Sequence, residues 1–272
     1  MSSTTTTTTT TTITDFAAAK DKTKAKPEFI LVPGAWHSPS CFAPTTALLE
    51  AEGYVVHGIE LASVKGPAYV ESFIPDVEII AAKIHDVLSA GRDLIMVFHS
   101  YGGVPGSEAL STHLTRSPTH GEIIHLFYLT AFILPVPSSL FNALDNGPAP
   151  WQIVSSSGTQ VKVVNPREIF YNDVEAALAE ELVAALRPHA YRALLSKVTC
   201  EPWREVAWTY VLCTLDNAIP LTAQEAMVAR AQELAPGSLA RVERLEAGHS
   251  PFVSQPERVA EILMRGSGEV GM

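Results

Sequence analysis

The sequence predicts an α/β fold with a mostly parallel central sheet flanked by helices, and three observations lead to this prediction. Short apolar runs alternate with longer stretches of helical periodicity from residue 28 onward. Some of these runs contain only apolar residues, which is typical of strands that are buried on both faces. The alternation breaks only between about residues 135 and 202, where we expect a helical cap inserted over the sheet edge.

The first part of the chain supplies three strands and the helices between them. Phe29–Val32 is a continuous apolar run that stops at a Pro-Gly turn, and helical spacing follows from Pro44 to Glu52. Tyr54–Ile59 has the composition of a second strand. Pro75–Ala90 places its aliphatic residues on one broad helical face. Asp93–Phe98 is an apolar run of the kind that forms a buried central strand.

The same alternation continues on both sides of the predicted cap. Within the cap, Asp173–Leu186 is the clearest helix and follows a proline-rich, turn-rich stretch. The other predicted elements are strands at Ile123–Leu129, Thr209–Cys213 and Leu239–Leu245 and a helix at Thr222–Leu234. Ser254 and Glu257 have the spacing of a capping box around Pro256, so the last helix is predicted to start there.

The two ends of the chain are predicted to be tails around one α/β domain at residues 28–265. Residues 1–27 contain an unbroken run of threonines followed by spaced lysines, a composition that has nothing to bury. This stretch has neither the apolar core of a secretory signal nor the arginines of a transit peptide. Residues 266–272 are rich in glycine and are predicted to be a flexible C-terminal tail.

Composition argues against several classes of partner. The chain has 19 Lys+Arg against 29 Asp+Glu, and a formal net charge of −10 opposes binding to nucleic acid or to anionic membranes. Three cysteines at positions 41, 200 and 213 are too few and too scattered for a disulfide framework or a cysteine-rich zinc site. We therefore expect a cytoplasmic protein without nucleic-acid or membrane partners, and nothing in the sequence indicates an oligomer.

Three residues suited to acyl transfer follow three of the predicted strands. Ser100 lies on a strand-to-helix turn with glycines at 102 and 103, a turn that strains the serine backbone and exposes its hydroxyl. Asp216 and His249 lie in the loops after the next-to-last and last strands. Because ligands bind at the carboxyl ends of parallel strands, we expect these side chains to converge. A serine hydroxyl needs a base and an orienting acid to become an effective nucleophile.

The chain order serine, aspartate, histidine is that of the α/β-hydrolase superfamily. The sequence resembles in particular the small methylesterase and hydroxynitrile-lyase branch with its fungal and bacterial serine-hydrolase relatives, over most of residues 28–265. Leu31–His37 resembles the oxyanion loop of that branch. The resemblance implies an α/β-hydrolase fold with a helical cap, a catalytic triad of Ser100, Asp216 and His249, and no cofactor. It also implies that the backbone N–H groups of Ala35 and Tyr101 form the oxyanion hole.

The chain departs from the family pattern at two positions. Phe98 replaces the first glycine of the usual G-x-S-x-G turn, and a slight displacement of the following helix is expected to make room for it. Pro33 replaces a histidine often found before the oxyanion glycine, a change that leaves the backbone donors in place.

The leading functional hypothesis is a serine hydrolase that cleaves a small apolar ester, lactone or thioester through an acyl-enzyme. His249 is predicted to act as general base and acid, and Asp216 to hold its tautomer. Aromatic residues near the predicted mouth favour an apolar pocket. The candidate substrate contacts are Trp36, His37, Phe132 and Trp151.

Two other functions stay open on the sequence alone. The same scaffold supports lyases, cyclases and hydrolases of carbon–carbon bonds, in which a serine–histidine pair acts only as a base. Lyase relatives place a lysine near the site, for which Lys197 is the nearest candidate. A non-catalytic small-molecule binding protein is the third hypothesis. The histidines at 113, 120 and 125 share neither a face nor a ligand spacing, so no metal site is predicted.

Overall fold

The strand–helix alternation folds into a six-stranded central sheet and a separate three-stranded sheet. The computed structural model describes residues 25–66, 70–114 and 120–268. Residues 1–24 of the predicted N-terminal tail and residues 269–272 of the predicted C-terminal tail lie outside these ranges. The strands are β1 (Glu28–Val32), β2 (Val56–Gly58), β3 (Leu94–His99), β4 (Ile123–Leu129), β5 (Gln152–Val154), β6 (Gln160–Val163), β7 (His189–Ala190), β8 (Trp208–Cys213) and β9 (Leu239–Leu245).

Helices connect these strands on both faces of the central sheet. The helices are α1 (Ala43–Ala51), α2 (Ala62–Lys65), α3 (Ile74–Ser89), α4 (Gly103–Ala109), α5 (Leu140–Ala143), α6 (Pro166–Phe170), α7 (Ala176–Ala185), α8 (Leu221–Leu234), α9 (Pro251–Ser254) and α10 (Pro256–Gly266). Among the described helices, none is long and apolar enough to span a lipid bilayer.

The central sheet has the order β2-β1-β3-β4-β8-β9, and every neighbouring pair in it is parallel. This confirms the predicted sheet. Every residue of β3 and β8 is buried, as expected of strands covered by helices on both faces. β2 is shorter than the predicted Tyr54–Ile59, because this edge strand pairs only with β1, over three residues.

The region expected to be a helical cap is only partly helical. It contains helices α5 to α7, but β5, β6 and β7 form an antiparallel sheet within it. A turn at residues 155–159 joins β5 to β6, and Gly158 adopts a φ of +68° there. Glu175 starts α7 later than the predicted Asp173, because its carboxylate accepts hydrogen bonds from the N–H groups of Ala177 (2.9 Å) and Leu178 (3.2 Å).

The start and end of the last helix also differ from the prediction. The expected capping box does not form, because Ser254 is the last residue of α9 and α10 begins at Pro256 without a side-chain cap. The helix reaches Gly266, within the predicted tail. A Cβ on Gly266 would lie 2.5 Å from the ring of Phe127, so this end packs closely against the sheet.

Phe98 is accommodated by a glycine on the helix that follows the serine turn. Its ring is completely buried, and a Cβ added to Gly106 of α4 would lie 2.4 Å from that ring. The phenyl ring therefore occupies the space that a side chain at position 106 would need. Glycine at position 106 thus lets the strand and the helix stay in contact with Phe98 between them.

The substitution Gly106→Ala should therefore destabilise the protein. We expect a loss of about 1–3 kcal/mol in the free energy of unfolding from overpacking, although alanine favours a helix over glycine by about 1 kcal/mol. Chemical denaturation followed by circular dichroism measures this loss. Gly147→Ala is the control, since no atom lies within 4 Å of its added Cβ. Equal stability of the Gly106 variant and the unmodified protein would contradict the packing described here.

Candidate active site

Ser100 lies on a strained turn between β3 and α4 that neighbouring backbone encloses. Its φ is +52°, a left-handed conformation that non-glycine residues rarely adopt. A Cβ on Gly102 would lie 2.5 Å from the Val32 carbonyl oxygen, and one on Gly103 would lie 2.2 Å from that of Phe132. The turn thus requires glycine at both positions. Its position at the C-terminal end of β3 places the serine side chain at the sheet edge where the other loops meet.

Asp216 and His249 form a buried hydrogen-bonded pair. The Nδ1 atom of His249 lies 2.8 Å from Oδ2 of Asp216, and both side chains are almost fully buried. The other carboxylate oxygen accepts hydrogen bonds from the N–H groups of Ala218 (2.7 Å) and Ile219 (2.9 Å). Thr130, which the sequence did not single out, donates its hydroxyl proton to Oδ2. These contacts fix the carboxylate, and they leave Nδ1 of the imidazole as the donor to it.

The residue before Ser100 connects the serine turn to the histidine loop. Nε2 of His99 donates to the backbone carbonyl of His249 at 3.0 Å, and the two imidazole rings are 4.7 Å apart. Within the described residues, neither the Ser100 hydroxyl nor Nε2 of His249 has a hydrogen-bond partner. The structure therefore pairs the acid with the base and leaves the hydroxyl and the free imidazole nitrogen uncommitted. Contacts of this type often tighten only when substrate binds.

The loop after β1 lies against the serine turn and adopts a second strained conformation. Trp36 has a φ of +67°, and its indole N–H donates to the carbonyl of Val161 in the cap at 2.9 Å. Among the described residues, the backbone N–H groups of Ala35 and Tyr101 donate to no other protein group. Both residues border the same cavity as Ser100. Two unpaired donors thus lie beside the serine.

An apolar pocket opens beside Ser100, between the sheet edge and the cap. It is narrow, with a volume of about 20 Å³, which is room for about one water molecule, so a bound substrate would have to widen it. Its lining residues are Ala35, Trp36, Ser100, Tyr101, Phe132, Leu140, Leu144, Trp151, Gln152, Leu194, Ala218 and Ile219. Three of the candidate substrate contacts, Trp36, Phe132 and Trp151, border this pocket. The leucines and Gln152 of the cap were not anticipated.

His37 does not line the pocket, in contrast to its place among the candidate substrate contacts. Its Nδ1 lies 2.7 Å from the Ala35 carbonyl oxygen, and its Nε2 lies 2.9 Å from the Tyr171 hydroxyl. A carbonyl only accepts, so Nδ1 carries the proton and Nε2 accepts from the tyrosine. Burial lowers the pKa of His37 to about 4, so the ring is neutral. His37 connects the loop after β1 to the cap.

Two adjacent cap residues hold the loops that carry the acid and the base. The side-chain amide of Asn172 donates to the carbonyl of Leu215, the residue before Asp216, at 2.9 Å. The carboxylate of Asp173 accepts from the N–H of Gly248, the residue before His249, at 2.7 Å. No local sequence pattern signals these contacts, since they join segments far apart in the chain. The cap therefore contributes to the position of both loops.

His189 of the cap is a buried histidine beside the pocket. Its ring lies 4.6 Å from that of Tyr101 and 5.9 Å from that of Trp36, and neither ring nitrogen has a partner among the described residues. Burial lowers its pKa to about 3. The His189 ring is therefore neutral in the folded protein.

The lysine proposed for lyase chemistry and the histidines considered as metal ligands lie away from this pocket. Lys197 is exposed and pairs through its backbone with Ser139 at the base of the cap. In the described part of the chain, no group of three or more His, Cys, Asp or Glu side chains has an arrangement that could hold a metal ion.

Comparison with known proteins shows which family the chain belongs to. The sequence profile of the alpha/beta hydrolase family matches residues 29–262, which is most of the chain. The chain belongs to the alpha/beta hydrolase family. An alpha/beta hydrolase of the fungus Aspergillus novofumigatus is 27% identical over 249 residues, which cover 90% of this chain and 98% of that protein.

Solved structures of other alpha/beta hydrolases share the fold. A pyrethroid hydrolase from Sphingobium faniae superposes with a TM-score of 0.70 at 23% identity, over 89% of this chain and 98% of the other. A methylesterase from Arabidopsis superposes with a TM-score of 0.69 at 20% identity, over 90% of this chain and 100% of the other. Family membership and the hydrolases among its relatives support hydrolase activity for this chain.

Removing the Asp173 carboxylate should leave the buried N–H of Gly248 without an acceptor. We expect Asp173→Ala to lower the free energy of unfolding by about 1.5–3 kcal/mol, the usual range for a hydrogen bond to a charged group. Urea denaturation at neutral pH measures the change. Asp173→Asn retains an acceptor oxygen and should lose much less. If the two variants are equally stable, Asp173 does not hold the histidine loop through this hydrogen bond.

The low pKa of His189 also predicts a pH dependence of stability. The unfolded chain binds a proton at this histidine below about pH 6.5, whereas the folded chain does so only near pH 3, so acid favours unfolding in between. The contribution of His189 to the free energy of unfolding should therefore be complete above pH 6.5. Below that pH it should fall by about 1.4 kcal/mol per pH unit. In His189→Leu, the slope of unfolding free energy against pH should fall by that amount between pH 6 and 4.5. Parallel curves for the two proteins would contradict this assignment.

Proposed function

We propose that the chain is a serine hydrolase in which Ser100, His249 and Asp216 form a catalytic triad acting on a small apolar ester, lactone or thioester. The observation that carries this proposal is the buried hydrogen bond between Asp216 and His249, together with a serine on a strained turn whose preceding residue, His99, hydrogen-bonds to His249. The hydrogen bond makes Nδ1 the protonated nitrogen, so the lone pair is on Nε2. A base with that lone pair is what a serine nucleophile requires.

The reaction then runs in two halves. Nε2 of His249 takes the proton of the Ser100 hydroxyl while Oγ attacks the substrate carbonyl carbon, and Asp216 stabilises the imidazolium that forms. The N–H groups of Ala35 and Tyr101 donate to the resulting oxyanion. His249 returns the proton to the leaving oxygen or sulfur as its bond to carbon breaks. Water attacks the acyl-enzyme in the same way, which releases the acid and restores the serine.

The lining of the pocket supports an uncharged substrate. Its side chains are mostly aliphatic or aromatic, and none of them is charged. Two arginines of the cap form ion pairs outside the pocket. Arg187 pairs with Glu60 at 2.6 Å, and Arg192 pairs with Glu71. A carboxylate or phosphate group would find no counter-charge in the pocket, and its desolvation would be unfavourable. The names of the pyrethroid hydrolase and methylesterase relatives agree with an ester as substrate.

A fluorophosphonate probe tests the nucleophile. We expect the folded protein to be labelled at neutral pH, because the activated Ser100 oxygen attacks phosphorus as it would attack a carbonyl carbon. Ser100→Ala should abolish labelling, and His249→Ala should slow it by about a thousandfold or more. Rates are measured by in-gel fluorescence and mass spectrometry.

Ser111→Ala is the matched control, since this exposed serine lies just after α4. It should be labelled at the rate of the unmodified protein. Labelling of Ser100→Ala at an undiminished rate, or no labelling of the folded protein, would rule out Ser100 as an activated nucleophile.

A further inference from the structure

The apolar pocket contains one largely buried polar side chain of the cap, Gln152, whose amide oxygen accepts a hydrogen bond and whose amide nitrogen makes none with the described residues. Gln152 is on β5 and is 9% exposed, and it lines the same pocket as Ser100. In an otherwise apolar pocket, a few placed polar groups determine which ligand binds and in which orientation.

The orientation of the Gln152 amide follows from its neighbour. The N–H of Ala149 donates to Oε1 of Gln152 at 3.0 Å, and the N–H of Gln152 donates to the Ala149 carbonyl at 2.8 Å. A backbone N–H can only donate, so the amide oxygen and not the nitrogen must face Ala149. The Nε2 group is thereby directed away from that turn, and it makes no hydrogen bond to the described residues.

Two other side-chain donors at the pocket wall are already engaged. The indole N–H of Trp36 donates to the carbonyl of Val161, and the hydroxyl of Tyr101 donates to Asp76 at 2.8 Å. Trp151 also has an N–H without a partner in the described part of the chain, but its ring is only half-buried. Among the side chains that line the pocket, Gln152 is therefore the mostly buried one of the cap whose N–H donors have a fixed orientation and no acceptor in the described part of the chain.

We propose that Gln152 is a specificity-determining residue that donates a hydrogen bond from Nε2 to a second oxygen of the substrate. This inference rests on the proposed function of Ser100 as nucleophile. An amide N–H₂ donates but does not accept, so the matching group is an acceptor-only oxygen, either a carbonyl or an ether. The substrate class is accordingly an apolar ester, lactone or thioester whose acyl part carries one additional carbonyl or ether oxygen. A site built to hydrogen-bond such a group discriminates against the analogue that lacks it.

Phenyl hexanoate provides the test, together with its analogues that carry a ketone or an ether oxygen at acyl carbons 3, 4 or 5. The readout is the ratio of kcat/KM for the oxygenated ester to that for phenyl hexanoate. Comparing this ratio between proteins cancels the intrinsic reactivity of each ester and any general loss of activity.

Gln152→Glu retains an acceptor for the Ala149 N–H but removes the donor. We expect the ratio to fall about tenfold in this variant for at least one oxygen position, and to fall similarly in Gln152→Leu. Trp151→Phe removes the unpaired indole N–H at the pocket wall, and we expect it to leave the ratio within about twofold. A ratio that changes in Trp151→Phe but not in the Gln152 variants would assign recognition to the indole and overturn the proposal.

Binding to Ser100→Ala separates this inference from the proposed hydrolysis. Isothermal titration calorimetry with the same esters gives the ratio of Kd values without turnover, and adding Gln152→Glu should change that ratio about tenfold. If no ester is hydrolysed but this change is seen, the proposed hydrolysis fails and the role of Gln152 stands. If esters are hydrolysed and neither ratio changes with Gln152, the role of Gln152 fails and the proposed hydrolysis stands.

Discussion

The close approach of three backbone segments around Ser100 is the constraint on which the rest of the site depends. The loops after β1 and β4 lie so near the serine turn that Gly102 and Gly103 have no room for a side chain. The N–H of Phe132 donates to the Ser100 carbonyl at 3.1 Å and fixes the turn from the other side. Such packing over-determines a strained φ, which a free loop would relax. The position of the Ser100 hydroxyl is therefore a consequence of how β1, β3 and β4 lie side by side.

The acid and the base are held by a second set of contacts that includes the cap. The N–H of Leu215 donates to the carbonyl of Ala247 at 3.0 Å, so the loops after β8 and β9 are joined directly. From the cap, Asn172 hydrogen-bonds to the loop after β8 and Asp173 to the loop after β9. The cap is in this respect part of the site rather than only its cover. A shift of the cap would act on the position of the histidine as well as on access to the pocket.

The sequence predicted the central sheet and the meeting of Asp216 with His249 because both depend on local, repeated patterns. Buried parallel strands leave uninterrupted apolar runs, and functional loops follow their carboxyl ends. The cap sheet left no such signal, since β5, β6 and β7 have only three, four and two residues and depend on pairing with one another. The hydrogen-bond partner of His37 could not be predicted for a related reason. Its hydrogen bond to Tyr171 joins residues 134 positions apart, which no local pattern reveals.

The central claim is that Ser100 becomes covalently acylated, and an inert acyl group tests it most directly. A 4-nitrophenyl dialkylcarbamate should transfer its carbamoyl group to the enzyme and hydrolyse from it slowly. Intact-mass spectrometry should then show one carbamoyl group per chain, and peptide fragmentation should place it on Ser100. Release of 4-nitrophenol without an adduct on Ser100, or with the adduct on another residue, would contradict the account.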